Sequence, residues 1–253
     1  LAAIGFAVAA IPEGLPAVLT ITLALGVQRM AQRNAITRKL NAVETLGSVT
    51  VICSDKTGTL TRNEMTARHV VTRGGQYDVA GTGYVPEGEI TRDGESASPE
   101  EHSDLHAVLE AMSVCNDATL AEEDGGWRLV GEPTEGGLLT LARKGGFDPA
   151  PYERVAVVPF ESESKYMATL NRTPEGAVRI LMKGAPDRLL DRCDAQRAAD
   201  GSAEPLDRAF WEERVDALSE QGLRVLAAAA RDADDGASDL DPADLEGGMI
   251  YLG

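Results

Sequence analysis

The first 27 residues are apolar almost without interruption. Glu13 is the one charged side chain from position 1 to position 27, and a stretch of this length can span a bilayer as a helix. Pro12, Gly14 and Pro16 surround that carboxylate and take two backbone donors out of the helical ladder. An interrupted apolar helix with a carboxylate at the break suits a hard cation, which freed carbonyls and the carboxylate coordinate together. Arg29, Arg33, Arg38 and Lys39 follow, with no acid until Glu44, and mark the cytoplasmic flank. The β-branched run Val49, Thr50, Val51, Ile52 and Cys53 predicts a buried strand.

From about residue 69 to residue 231 the pattern changes to that of a separate α+β unit. Strands are expected at 154–158, 166–171, 178–182 and 223–230, and helices at 105–114, 134–143 and 206–221. Thr173, Pro174, Glu175 and Gly176 predict a hairpin turn between two strand-like runs. Pro133 and Thr134 open one helix, and Gly145 and Gly146 close it.

Residues 55–61 read Asp-Lys-Thr-Gly-Thr-Leu-Thr and hold the most specific chemistry in the chain. Placed just past the carboxyl end of a strand, Asp55 faces the crevice where open α/β sheets bind ligands. Thr57, Gly58 and Thr59 offer hydroxyls and close backbone approach to phosphate oxygens. A carboxylate so placed can attack a phosphoryl group and form an aspartyl phosphate.

This heptapeptide, with Ile52-Cys53-Ser54 before it and Arg62-Asn63-Glu64-Met65-Thr66 after it, resembles the phosphorylation signature of the P-type ATPases. The resemblance implies that ATP phosphorylates Asp55, with Lys56 and Thr57 in the catalytic loop. Asp55 and the Thr57 carbonyl then supply part of a Mg²⁺ shell. Soluble phosphatases of the haloacid dehalogenase type are one rival reading, and a degenerate nucleotide-binding module that binds without turnover is another. The phosphatases carry a second Asp where this chain has Thr57, and a threonine cannot perform that proton transfer at neutral pH.

Lys183-Gly184-Ala185-Pro186 places a lysine between a strand and a short helical stretch, where it can reach phosphate or ribose oxygens. Read alone, it is equally a turn with a surface lysine. Phe160 stands among Glu161, Ser162, Glu163 and Ser164, and a lone aromatic in such company is by default a satellite of the core. Their order with Cys115-Asn116-Asp117-Ala118, Gly131-Glu132-Pro133-Thr134-Glu135, Lys165 and Gly222-Leu223-Arg224 is similar to that in the nucleotide-binding domain of calcium and sodium/potassium pumps. That similarity implies that Phe160 stacks on adenine, Glu135 bonds near the base, Lys165 and Lys183 line the pocket, and Arg224 contacts phosphate. Ser162 departs from calcium pumps, which often carry arginine there.

The run from Val8 to Pro16 resembles the fourth transmembrane helix of calcium-pump-type members, which implies that Glu13 and the carbonyls of Val8, Ala9 and Ile11 bind the transported cation. Both prolines favour calcium, or calcium with manganese; sodium and protons are the alternatives. The resemblance gives a fold class of α/β: the start of a haloacid-dehalogenase-like phosphorylation domain, a large inserted α+β nucleotide-binding domain, and an N-terminal transmembrane segment. The domains fall at 1–28 (membrane), 29–66 (connector and first part of the phosphorylation domain), 67–232 (nucleotide-binding) and 233–253 (return toward the phosphorylation domain). The actuator domain and most membrane helices of such a pump are expected outside this segment, as partners in a multi-pass membrane protein whose ATP-handling parts are cytoplasmic.

Composition excludes one class of partner. With 24 basic and 41 acidic residues the net charge is −17, and nucleic acid needs a concentrated basic surface. Acid concentrates at 87–104 and 232–246, which reads as solvated loops. Three separated cysteines, Cys53, Cys115 and Cys193, fit a reducing compartment.

Overall fold

The computed structural model describes residues 14–253 apart from Leu40 and Asp124. Glu13, Val8, Ala9 and Ile11, expected at the cation site, lie outside the described residues. The chain forms two units that meet at Thr61 and Arg62.

In the first unit, helix α1 (Leu15–Ala31) follows Gly14 with Pro16 in its first turn, where the missing N–H costs nothing. Its last turn carries Arg29, favourable at a helix C-terminus. Leu15, Val18, Leu19, Ile21 and Leu25 are all exposed. No helix among the described residues is long and apolar enough to cross a membrane. A short helix, α2 (Asn41–Gly47), follows. The strand expected at 49–53 is not formed: these residues are irregular, and Ile52 is 88 % exposed. A β-branched run becomes a strand only when a neighbour satisfies its backbone groups, and no described strand pairs with this one.

The second unit is organised by a seven-stranded sheet. In chain order its elements are β1 (His69–Thr72), β2 (Gly75–Val79), β3 (Ile90–Arg92), β4 (Glu95–Ser96), α3 (Ser103–Val114), β5 (Thr119–Glu123), β6 (Gly126–Val130), α4 (Pro133–Lys144), β7 (Glu153–Val158), β8 (Tyr166–Arg172) and β9 (Val178–Gly184). Then come α5 (Pro186–Leu190), β10 (Cys193–Arg197), β11 (Ala203–Pro205), α6 (Arg208–Glu220), β12 (Ala227–Asp232), a 3₁₀ turn (Pro242–Leu245) and β13 (Met249–Tyr251). The main sheet runs β11-β10-β13-β12-β9-β8-β7, with β10 and β13 parallel and the other pairs antiparallel. β1 to β4 form a separate meander, and β5 and β6 a hairpin.

Strands β8 and β9 are buried almost along their whole length because both faces of the sheet are covered. Tyr166, Ala168, Leu170, Ile180 and Met182 join one apolar cluster with Trp211, Leu189, Leu245 and Tyr251. Met167 and Leu181, from the intervening positions, join the other with Leu105, Leu109, Met112, Leu138 and Leu141 of α3 and α4. The expected turn at 173–176 closes the β8–β9 hairpin: the Thr173 N–H donates to Ala177 O at 2.8 Å, and Gly176 takes φ 93°, where an L side chain would be strained.

Two expectations are corrected. The strand expected at 223–230 starts at Ala227, residues 223–226 being irregular. Within the segment 233–253, Met249–Tyr251 forms β13, which lies between β10 and β12 in the main sheet. The acidic run 87–104 is not all solvated: it contributes β3 and β4, and Asp104 is buried, accepting from Thr72 Oγ1 at 2.5 Å and from the Tyr77 hydroxyl at 2.9 Å. Two hydroxyl donors satisfy the carboxylate, so composition alone cannot place it.

Burial, and then the hydrogen bond and charge of Asp104, push the Tyr77 phenol from 10.0 up to about 12. A phenol whose folded pKa is raised stabilises the fold fully below its unfolded value and loses that contribution as pH rises through 10 toward 12. Denaturation midpoints of the chain are therefore expected to fall between pH 10 and 12, and Tyr77→Phe to reduce the fall. An identical alkaline slope in the variant would rule out this origin.

Candidate nucleotide site and phosphorylation loop

Antiparallel register brings most of the predicted nucleotide residues to one end of the main sheet. Val158 pairs with Ala168, Tyr166 with Gly184, and Gly184 with Ala227. Phe160 therefore leaves β7, Lys165 enters β8, Lys183 is the penultimate residue of β9 and Arg224 approaches β12 at the same end. Phe160 belongs to neither apolar cluster and is 60 % exposed, so it is not a satellite of the core. Lys165 is exposed and adopts φ 57°, its N–H donating to Glu161 O at 2.7 Å and its carbonyl accepting from Ala185 at 2.9 Å. Gly184 permits this turn: a Cβ there would lie 2.5 Å from the Lys165 carbonyl oxygen and 2.7 Å from Tyr166 Cα.

Glu135 and Lys183 are joined directly. The Lys183 Nζ donates to Glu135 Oε1 at 2.6 Å, with side chains 9 % and 15 % exposed. Glu135 sits in the first turn of α4, where an acidic side chain is favourable. The same Oε1 accepts from the Asp117 N–H at 3.3 Å, and the Glu135 carbonyl accepts from Asn116 Nδ2 at 3.0 Å. Cys115 is fully buried beside this pair, and burial raises its thiol pKa, so it stays a neutral packing group. Arg224 lies near the N-terminus of α4, its Nη1 3.5 Å from Thr134 Oγ1. It also lines a largely apolar cavity of about 300 Å³ that extends to Met65, Leu138, Trp211 and Leu223. Neither Phe160, Lys165 nor Lys183 reaches that cavity; they occupy the open sheet end.

The sequence motifs mark Glu135 and Lys183 separately but carry no sign of their pairing, nor of Arg154, which ties β7 to the turn after α3. The fork of Arg154 was hidden because its acceptors lie about 40 residues away in the chain.

In the first unit Asp55, Lys56 and Thr57 are exposed, where an irregular segment enters a turn over 57–60. The Lys56 carbonyl accepts from Leu60 at 3.0 Å and from Thr61 at 3.2 Å, and Gly58 takes φ 72°. Ser54 Oγ donates to the Asp55 carbonyl at 3.1 Å, so these bonds leave the Asp55 carboxylate uninvolved. No group of three or more His, Cys, Asp and Glu side chains among the described residues is placed to hold a metal. Mg²⁺ needs no such cage, since it takes one or two protein oxygens and fills its shell with waters and phosphates.

Residues 104–253 match the family described as P-type ATPase, cytoplasmic domain N. The chain belongs to the P-type ATPase family. It is 47 % identical over 262 residues to the cation-transporting ATPase pma1 of Synechocystis, an alignment covering all of this chain and 29 % of that protein. It is 44 % identical to a calcium-transporting ATPase of Bacillus subtilis, over 91 % of this chain and 27 % of the relative. It is 43 % identical to the human calcium-transporting ATPase type 2C member 1, over 90 % and 25 % respectively. The chain thus spans less than a third of the length of these P-type ATPases. The seven-stranded sheet and α4 lie within the residues that match domain N.

Proposed function

We propose that this chain is the ATP-handling part of a cation pump of the P-type family, phosphorylated on Asp55 and transporting calcium. The observation that carries the reading is the exposed loop 55–61, whose seven residues all match the phosphorylation signature, just upstream of a domain N. In the step proposed, a carboxylate oxygen of Asp55 attacks the γ-phosphorus of ATP. The bond from that phosphorus to the β,γ-bridging oxygen breaks, ADP leaves, and an acyl phosphate remains. Asp55 and the Thr57 carbonyl would hold Mg²⁺, which neutralises phosphate charge when bound. With Thr57 in place of a second aspartate, no side chain there speeds hydrolysis, so the intermediate persists long enough to drive a conformational change.

The second unit supplies the nucleotide platform: Phe160 stacks on the base, Lys165 and Lys183 meet phosphate or ribose oxygens, and Glu135 orients Lys183. Arg224 reaches the phosphates from the approach to β12. Upstream, Glu13 and the carbonyls of Val8, Ala9 and Ile11 form the cation site within a membrane helix, in a multi-pass protein with its ATP-handling units in the cytoplasm. Calcium is favoured over manganese, sodium or protons because Pro12 and Pro16 both flank Glu13 and because two relatives above are named for calcium transport.

Phe160→Ala is expected to weaken ATP binding about five- to 150-fold, the equivalent of roughly 1–3 kcal/mol of base stacking. Because the side chain is mostly exposed, circular dichroism should be unchanged. Calorimetric titration of the chain with ATP checks this, and unaltered affinity would refute the platform.

A further inference from the structure

Helix α3 ends at Val114, and its final carbonyls have no donor within the helix. Arg154, from β7, supplies one. Its Nη2 donates to Val114 O at 3.2 Å and to Asn116 O at 2.6 Å, and its Nη1 pairs with the Asp117 carboxylate. The turn so held is the one that meets Glu135. Asn116 Nδ2 donates to the Glu135 carbonyl, and the Asp117 N–H donates to the Oε1 that also accepts from Lys183.

We propose that Arg154 is a positioning residue for the nucleotide site, acting through the Asn116–Asp117 turn and Glu135 on the Lys183 ammonium. The inference rests on the nucleotide reading above. Arg154 pairs across the sheet with Asn171, whereas Lys183 pairs with Met167. Four residues along β8 correspond to about 13 Å, so Arg154 acts on Lys183 only through the turn. A planar guanidinium can address three acceptors in fixed directions; a lysine ammonium on a flexible stem cannot hold all three. Without the fork the Asp117 N–H is free to swing away, Glu135 Oε1 loses one of two donors, and Lys183 loses its fixed direction.

Two measurements on the full chain test this. The first uses no nucleotide: acetylation of Lys183 by acetic anhydride, read by mass spectrometry against the exposed Lys165 as internal reference. Arg154→Ala is expected to raise the ratio severalfold and Arg154→Lys to raise it less; an unchanged ratio in both overturns the proposal. The second is ATP affinity. Arg154→Ala should weaken binding on the order of tenfold, as loss of one charge-assisted contact does. In a Glu135→Gln background the same change should add little, because both act on one path. Equal losses in both backgrounds would overturn the path through Glu135. Should Arg154→Ala fail to fold, Arg154→Lys carries both readouts. If Phe160→Ala also leaves ATP affinity untouched while the acetylation ratio rises, the nucleotide reading fails and the positioning of Lys183 stands.

Discussion

Asp55→Asn is expected to reduce covalent labelling by γ-labelled ATP to background while leaving nucleotide affinity intact. Asparagine has nearly the shape of aspartate but no anionic oxygen to attack phosphorus, so the acyl phosphate cannot form. The loop should survive the change, since its bonds run from Ser54 Oγ to the Asp55 carbonyl and from Leu60 and Thr61 to the Lys56 carbonyl. None uses the replaced carboxylate. The candidate platform residues Phe160, Lys165, Lys183 and Glu135 belong to the other unit, so ATP affinity should stay the same. The assay is acid-quenched labelling of the full-length protein with calcium, manganese, sodium or chelator present. Label in the parent protein should be hydroxylamine-sensitive, as an acyl phosphate is, and calcium dependence would assign the ion. Residual hydroxylamine-sensitive label in Asp55→Asn would move the phosphoacceptor elsewhere.

What could be read from the sequence was what local pattern encodes. The β8–β9 hairpin has long apolar runs on both sides of a Pro-Gly turn, and α3, α4 and α6 are long enough for their period to show. The candidate site residues were legible as motifs, because Lys-Gly-Ala-Pro and Pro-Phe keep their order along the chain. Pairing was not legible. β1 to β4 are two to five residues each, too short for a period, and Met249–Tyr251 becomes a strand only because β10 and β12 leave room between them. Residues 49–53 make the converse point: their β-branched content is that of a strand, yet they find no partner among the described strands. Asp104 reads as one more acid in an acidic run until Thr72 and Tyr77 are seen to enclose it.

The Lys183–Glu135 pair is expected to show that stability and nucleotide binding have separable requirements. Lys183→Met removes the ammonium and leaves the Glu135 carboxylate, 15 % exposed, with only the Asp117 N–H to bond it. Breaking a buried pair in this one-sided way costs roughly 3–5 kcal/mol, and the residual exposure of Glu135 argues for the lower end. The urea midpoint of the chain should fall accordingly. Replacing both partners, Lys183→Met with Glu135→Gln, removes the two charges together while the glutamine oxygen can still accept from Asp117. Such paired replacement is often close to neutral, so the midpoint should recover most of the loss. ATP affinity should not recover: without an ammonium at the end of β9 the phosphates lose a charge-assisted partner, a deficit of about tenfold or more. A midpoint unmoved by Lys183→Met would show that the pair contributes nothing to the fold. A double variant that binds ATP as tightly as the parent would remove Lys183 from the site.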